Sequence, residues 1–164
     1  MAELSLLINK DLCIGCQTCE IACKQENNLG VGPRWIRVIE IGPKEIGGNL
    51  KMDYFPMRCL HCAKPACQEA CPTGAINKRK DGIVLIDFEI CSGCKACIQA
   101  CPFGAPQMNP ELNVVGKCTL CVHRIEQGLK PACVIACPTQ AIYFGDINQL
   151  AEFKRQHSAN SIFL

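Results

Sequence analysis

Apolar positions along this chain come in short runs, and each run predicts a small element. Residues 4–8 (LSLLI) read as a strand. Residues 34–41 (RWIRVIEI) are β-branched and partly alternating, and residues 50–55 repeat that character beyond a Gly47-Gly48 turn. Together they predict a β-hairpin, with Trp35, Ile36, Val38 and Ile39 covering what lies beneath. Residues 83–88 form a further strand, and residues 104–116 (GAPQMNPELNVVG) hold enough turn formers to read as a loop. A helical turn is expected over residues 123–127, stopped by Gly128. Asp146 caps a last helix reaching His157, with Gln149 at the capping-box position and Ile147, Leu150 and Phe153 on one face.

Between these runs the punctuation is dominated by cysteine. Sixteen Cys fall into four groups: Cys13, Cys16, Cys19 and Cys23; Cys59, Cys62, Cys67 and Cys71; Cys91, Cys94, Cys97 and Cys101; Cys118, Cys121, Cys133 and Cys137. The third group, followed by Pro102, has the CxxCxxCxxxCP spacing of a bacterial ferredoxin. The others vary it. Lys24 stands where the proline would be in the first, so the turn continues as helix through Gln25 and Glu26 until Asn27, Asn28 and Gly30 break it. The second and fourth widen the gap before the third thiol, and the endings CPTGAI, CPFGAP and CPTQAI repeat, which marks an internal duplication.

This spacing has a physical reason. A cubane offers an iron at each of four corners, and thiols at every third residue wrap three of them. The fourth thiol, four residues on, sits on a helical turn pointing toward a neighbouring cluster, and proline ends that turn. In two-cluster ferredoxins the fourth Cys therefore ligates the other cluster. Zinc sites use two CxxC pairs at longer separation, and three thiols at every third residue would crowd one tetrahedral ion, so a zinc-stapled binding module is the lesser reading.

Composition agrees with a cluster protein. Among 164 residues only 5% are aromatic, so the ordinary core is thin and needs staples. The N-terminus has no basic n-region, long apolar stretch or twin arginine, which points to a reducing, cytoplasmic setting where clustered Cys are metal ligands rather than disulfides. No apolar run reaches the roughly 18 residues of a membrane span. The formal charge is +2. Each thiolate-bound [4Fe-4S] cluster carries about −2, so four bring the total to about −6 and remove any case for nucleic-acid binding.

The groups can pair in tandem or nested. Between Cys71 and Cys91 the sequence PTGAINKRKDGIVLIDFEI returns the chain through strand, turn and strand as in a single ferredoxin, which joins the second group to the third. The expected fold class is α+β: two pseudo-symmetric bacterial-ferredoxin-like units, one inserted in the other. Residues 59–106 form the inner unit and residues 1–58 with 107–164 the outer one. Cross-stitching then assigns Cys13, Cys16, Cys19 and Cys137 to one cluster, and Cys118, Cys121, Cys133 and Cys23 to a second. Cys59, Cys62, Cys67 and Cys101 take a third, and Cys91, Cys94, Cys97 and Cys71 a fourth.

The order CIGCQTCEIACKQEN, CLHCAKPACQEACPTGAI, CSGCKACIQACPFGAP, KCTLCVHRIEQGLKPACVIACPTQAIYFGD resembles the four-cluster iron-sulfur subunit of the dimethyl sulfoxide reductase family, over nearly the whole chain. The resemblance implies a non-catalytic electron-transfer subunit of a multi-subunit complex in anaerobic metabolism. It would work between a molybdopterin catalytic subunit and a quinone-linked, membrane or soluble partner, with flavin or haem subunits as further candidates. With Cys at all sixteen positions it implies four [4Fe-4S] clusters and no three-iron variant. Membrane-bound relatives carry a C-terminal anchor helix for which this chain ends too soon, and similar subunits serve cytoplasmic tungsten aldehyde oxidoreductases. A free-standing polyferredoxin is the alternative. Nothing assembles a nucleophile with a base, so no catalytic residue is expected.

Three smaller features carry smaller expectations. His61, between two Cys, reads as a supporting or surface residue rather than a ligand. Arg124, after His123 on its helical turn, reads as structural or as a donor to sulfur. Lys95, inside the third group, is placed to raise its cluster's potential, although a solvated Lys is the commoner case.

Overall fold

The computed structural model describes residues 3–162. Its strands are paired in twos. Strand β1 (Leu4–Ile8) runs antiparallel to β8 (Ile142–Asp146), so segments from opposite ends of the sequence share one ladder, with Leu6 opposite Phe144. Between them the chain forms α1 (Thr18–Glu26), the hairpin β2 (Ile36–Ile46) and β3 (Asn49–Arg58), and α2 (Ala66–Glu69). There follow the short hairpin β4 (Ile76–Lys78) and β5 (Val84–Ile86), α3 (Ala96–Ala100), and a second short hairpin, β6 (Gln107–Asn109) and β7 (Val114–Gly116). The turns α4 (Val122–Ile125) and α5 (Ala132–Ile135) precede β8, and α6 (Ile147–Ile162) closes the chain. Helix α1 packs on α5, and α2 on α3. This is a small mixed helix and strand fold of short elements.

The 4–8 strand, the stop of α1 at Asn27 and the Asp146 cap follow the sequence. Asp146 Oδ1 accepts from the Asn148 and Gln149 N–H groups at 2.9 and 3.3 Å. Other elements differ from expectation. The hairpin is longer because Gly42 and Pro43 are absorbed as a register shift between Ile41 and Lys44. Ile39 faces outward: alternation puts Ile36 and Val38 inside and Arg37 and Ile39 outside. The expected loop at 104–116 contains β6 and β7. Its tip is held by Asn109, whose Oδ1 accepts from the N–H groups of Glu111 and Leu112 at 2.9 and 3.1 Å. Helix α6 runs past His157 to Ile162, since no Gly or Pro follows to stop it.

Two small cores result. One gathers Leu6, Trp35, Ile36, Val38, Ile83, Leu120 and Ile142 around Cys19, Cys23, Cys59, Cys118 and Cys133. The other sets Ile76, Val84 and Val115 around Cys67 and Cys97. Trp35 lies over Gly116, where a Cβ would stand 2.8 Å from the indole Cζ2, so the β2 end is keyed to β7 by a large ring against an absent side chain. Trp35→Ala should therefore cost about 3–5 kcal/mol. The check is the denaturant concentration at which visible absorbance bleaches anaerobically, which falls by the corresponding amount.

Candidate iron-sulfur site

All sixteen Cys are free thiols. Each of the four groups begins with a loop whose residue just before the second Cys adopts a left-handed conformation: Gly15, His61, Gly93 and Leu120, with φ of 72, 48, 67 and 57°. Two are not glycine, so the loops hold His61 and Leu120 in a conformation that costs energy. The left-handed turn points backbone N–H groups inward. His61 N–H and Leu120 N–H each lie 3.4 Å from the sulfur of the first Cys of their loop, and Ala141 N–H lies 3.2 Å from Cys137 Sγ.

Around these loops the thiols collect in fours. Cys23 lines one cavity with Cys118, Cys121 and Cys133. Cys59, Cys62, Cys67 and Cys101 line another, and Cys71, Cys91, Cys94 and Cys97 a third. Cys19 has Cys13, Cys16 and Cys137 among its thiol neighbours. Burial pushes its pKa up to about 12, with the Glu20 carboxylate and those three thiols adding to the effect. The same cause raises Cys97 and Cys118 to about 11. In each case burial dominates, so holding thiolates here takes a positive partner such as iron.

Neighbour relations also run between the quartets. The Cys23 and Cys133 thiols feel Cys19, Cys118 feels Cys59, and Cys97 feels Cys67. Of the sixteen thiols only Cys16 and Cys94 are exposed, and they belong to the two end quartets.

The donor set fits an iron-sulfur cluster better than an ion. Among the described residues no three of His, Cys, Asp and Glu are gathered tightly enough to hold a single metal ion. Two donors with no hydrogen-bond partner, Arg58 Nε and Thr119 Oγ1, belong to residues lining the Cys23 cavity, as sulfide or thiolate acceptors would require.

His61 is buried, 8% exposed, and its Nδ1 accepts from the Val84 N–H at 3.0 Å. Burial, then Lys117 and Arg58, push its pKa down to about 3, so the ring is neutral and supports β5. Arg124 is a tie: Nη1 reaches Glu26 Oε2 at 2.8 Å and Nε the Lys130 carbonyl at 2.9 Å, joining α4 to α1. Lys24, in place of the expected proline, donates to the carbonyls of Gly30 and Pro33 at 2.6 and 3.0 Å and fixes the loop after α1. Lys95 is exposed on its loop. Spacing does not single out Arg58 and Lys117, both buried. Their signal is that each immediately precedes the first Cys of its group.

Comparison with known proteins defines the class first. Residues 50–147 and residues 12–75 each match a 4Fe-4S dicluster domain. The sequence is 38% identical to one component of the anaerobic dimethyl sulfoxide reductase of Escherichia coli, over 90% of this chain and 76% of the relative. It is 40% identical to a sulfite dehydrogenase component of Allochromatium vinosum, over 90% and 70%. It is 39% identical to the nitrate-inducible formate dehydrogenase iron-sulfur subunit of E. coli, over 96% of this chain and 59% of that one. The protein belongs to the 4Fe-4S dicluster proteins, among the iron-sulfur subunits of the dimethyl sulfoxide reductase family.

Proposed function

We propose that this chain is the electron-transfer subunit of a multi-subunit molybdenum or tungsten oxidoreductase, holding four [4Fe-4S] clusters in line. The observation that carries it is the set of cavities lined by Cys quartets, with thiol neighbours linking one quartet to the next and only Cys16 and Cys94 exposed. Bound there, [4Fe-4S] clusters supply reversible one-electron carriers. Cys13, Cys16, Cys19 and Cys137 hold one end, with Cys118, Cys121, Cys133 and Cys23 next. Cys59, Cys62, Cys67 and Cys101 follow, and Cys91, Cys94, Cys97 and Cys71 hold the far end.

The nested arrangement belongs to the same reading. The β1 and β8 pairing and the packing of α1 on α5 support an outer ferredoxin-like unit of residues 1–58 and 107–164. The β4 and β5 hairpin with α2 on α3 supports an inner unit of residues 59–106. The protein's own part is to exclude water around the inner thiols and to fix the loops with N–H donors. Among the described residues none is arranged for bond-making chemistry. Among the described residues no helix is long and apolar enough to cross a membrane, and we place the chain in the cytoplasm as a partner of larger subunits.

Anaerobic isolation of the tagged chain from its native host tests this. A stable complex containing molybdenum or tungsten is the expected result. A chain that purifies alone with a full iron complement would make it a free-standing polyferredoxin.

A further inference from the structure

Two buried cations occupy the junction between the inner and outer halves. Arg58 is 7% exposed and Lys117 is 2% exposed. They are equivalent in the repeats, each just ahead of the first Cys of a group, Cys59 and Cys118. Their side chains cross over. Arg58 precedes Cys59 yet lines the cavity of Cys23, Cys118, Cys121 and Cys133, whereas Lys117 precedes Cys118 yet lines the cavity of Cys59, Cys62, Cys67 and Cys101.

Neither cation has a carboxylate partner among the described residues. Arg58 Nη2 donates to the Leu6 carbonyl at 2.6 Å, and its Nε has no acceptor. Lys117 Nζ donates to the carbonyls of Val84 and Cys118. An isolated buried cation is costly unless a countercharge lies nearby. Thiolates bound to a cluster would supply it. The Cys118 thiol feels both cations, Cys133 feels Arg58, and Cys67 feels Lys117. By contrast, exposed Lys95 is screened by water.

We propose that Arg58 and Lys117 are potential-setting residues, each holding the reduction potential of the middle cluster whose cavity it lines above the value the Cys quartet alone would give. Reduction adds one electron and one negative charge, with no bond made or broken, so a fixed cation in a poorly screened site favours it. The inference rests on the proposed cluster assignment.

The test uses the isolated complex in four variants: Lys117→Met and Arg58→Met, which remove charge, and Lys117→Arg and Arg58→Lys, which keep it. Iron content checks the assignment, and equilibrium redox titration followed by EPR checks the inference. Each Met variant is expected to keep the wild-type iron content and to lower one midpoint by a tenfold change in the reduction constant, about 59 mV for one electron. The charge-keeping variants and Lys95→Glu stay within threefold of wild type. Met variants that keep their iron with all midpoints within threefold overturn the proposal. So does loss of iron from both, which makes the cations structural ties only. Wild-type iron far short of about sixteen per chain would instead defeat the cluster assignment itself.

Discussion

Stripping iron from the folded chain with a chelator should unfold it: the cooperative thermal transition disappears and helical circular dichroism falls toward that of a coil. The reason lies in what the chain can hold together unaided. Its sheets are all two-stranded, a form that is marginal in water by itself. Helices α2, α3, α4 and α5 have 4 or 5 residues, far below the length that sustains a helix alone. Buried apolar positions are shared between aliphatic side chains and Cys19, Cys23, Cys59, Cys67, Cys97, Cys118, Cys121 and Cys133. Without metal those thiols are small, loosely packed groups around cavities. In such proteins the free energy of metal binding is folding free energy. An iron-free chain that keeps a cooperative transition at the same temperature would contradict this.

The second large effect concerns which thiols act together. Cys71 stands four residues beyond Cys67 but lines the cavity of Cys91, Cys94 and Cys97. Cys71→Ser combined with Cys94→Ser should therefore lose no more iron than either change alone, about four per chain, because both strike one cluster. Cys71→Ser combined with Cys62→Ser should lose about eight. Cys62 lines the cavity of Cys59, Cys67 and Cys101 instead. The reverse pattern of additivity, read from iron analysis of anaerobically purified complexes, would return each cluster to its own stretch of sequence. Loss of all iron from every single variant would show that the clusters form one folding unit with the ligand map unread, and Cys→Asp replacements that retain a potential ligand then supply the same comparison.

Much of the site is written in sequence because cluster chemistry constrains spacing directly. A thiol at every third residue, a fourth on the next turn and a proline after it leave little freedom. Local elements with strong punctuation were equally readable, such as α1 stopping at Asn27 and α6 starting after Asp146. What stayed hidden depends on contacts made far away in sequence. Strands β6 and β7 have 3 residues each, too few for an alternation to register. The outward side of Ile39 depends on pairing register. The crossing of Arg58 and Lys117 into each other's cavities needs segments distant in sequence to lie side by side. His61 and Leu120 show no sign, as residue types, of the left-handed conformation that their loops impose.

The most direct test of the wire is a count of iron and acid-labile sulfide in the anaerobically isolated complex, with EPR after stepwise reduction. About sixteen of each per copy of this chain are expected, with signals that broaden as neighbouring clusters fill because their spins couple. Eight or fewer irons in fully folded protein, or zinc in place of iron, would contradict it.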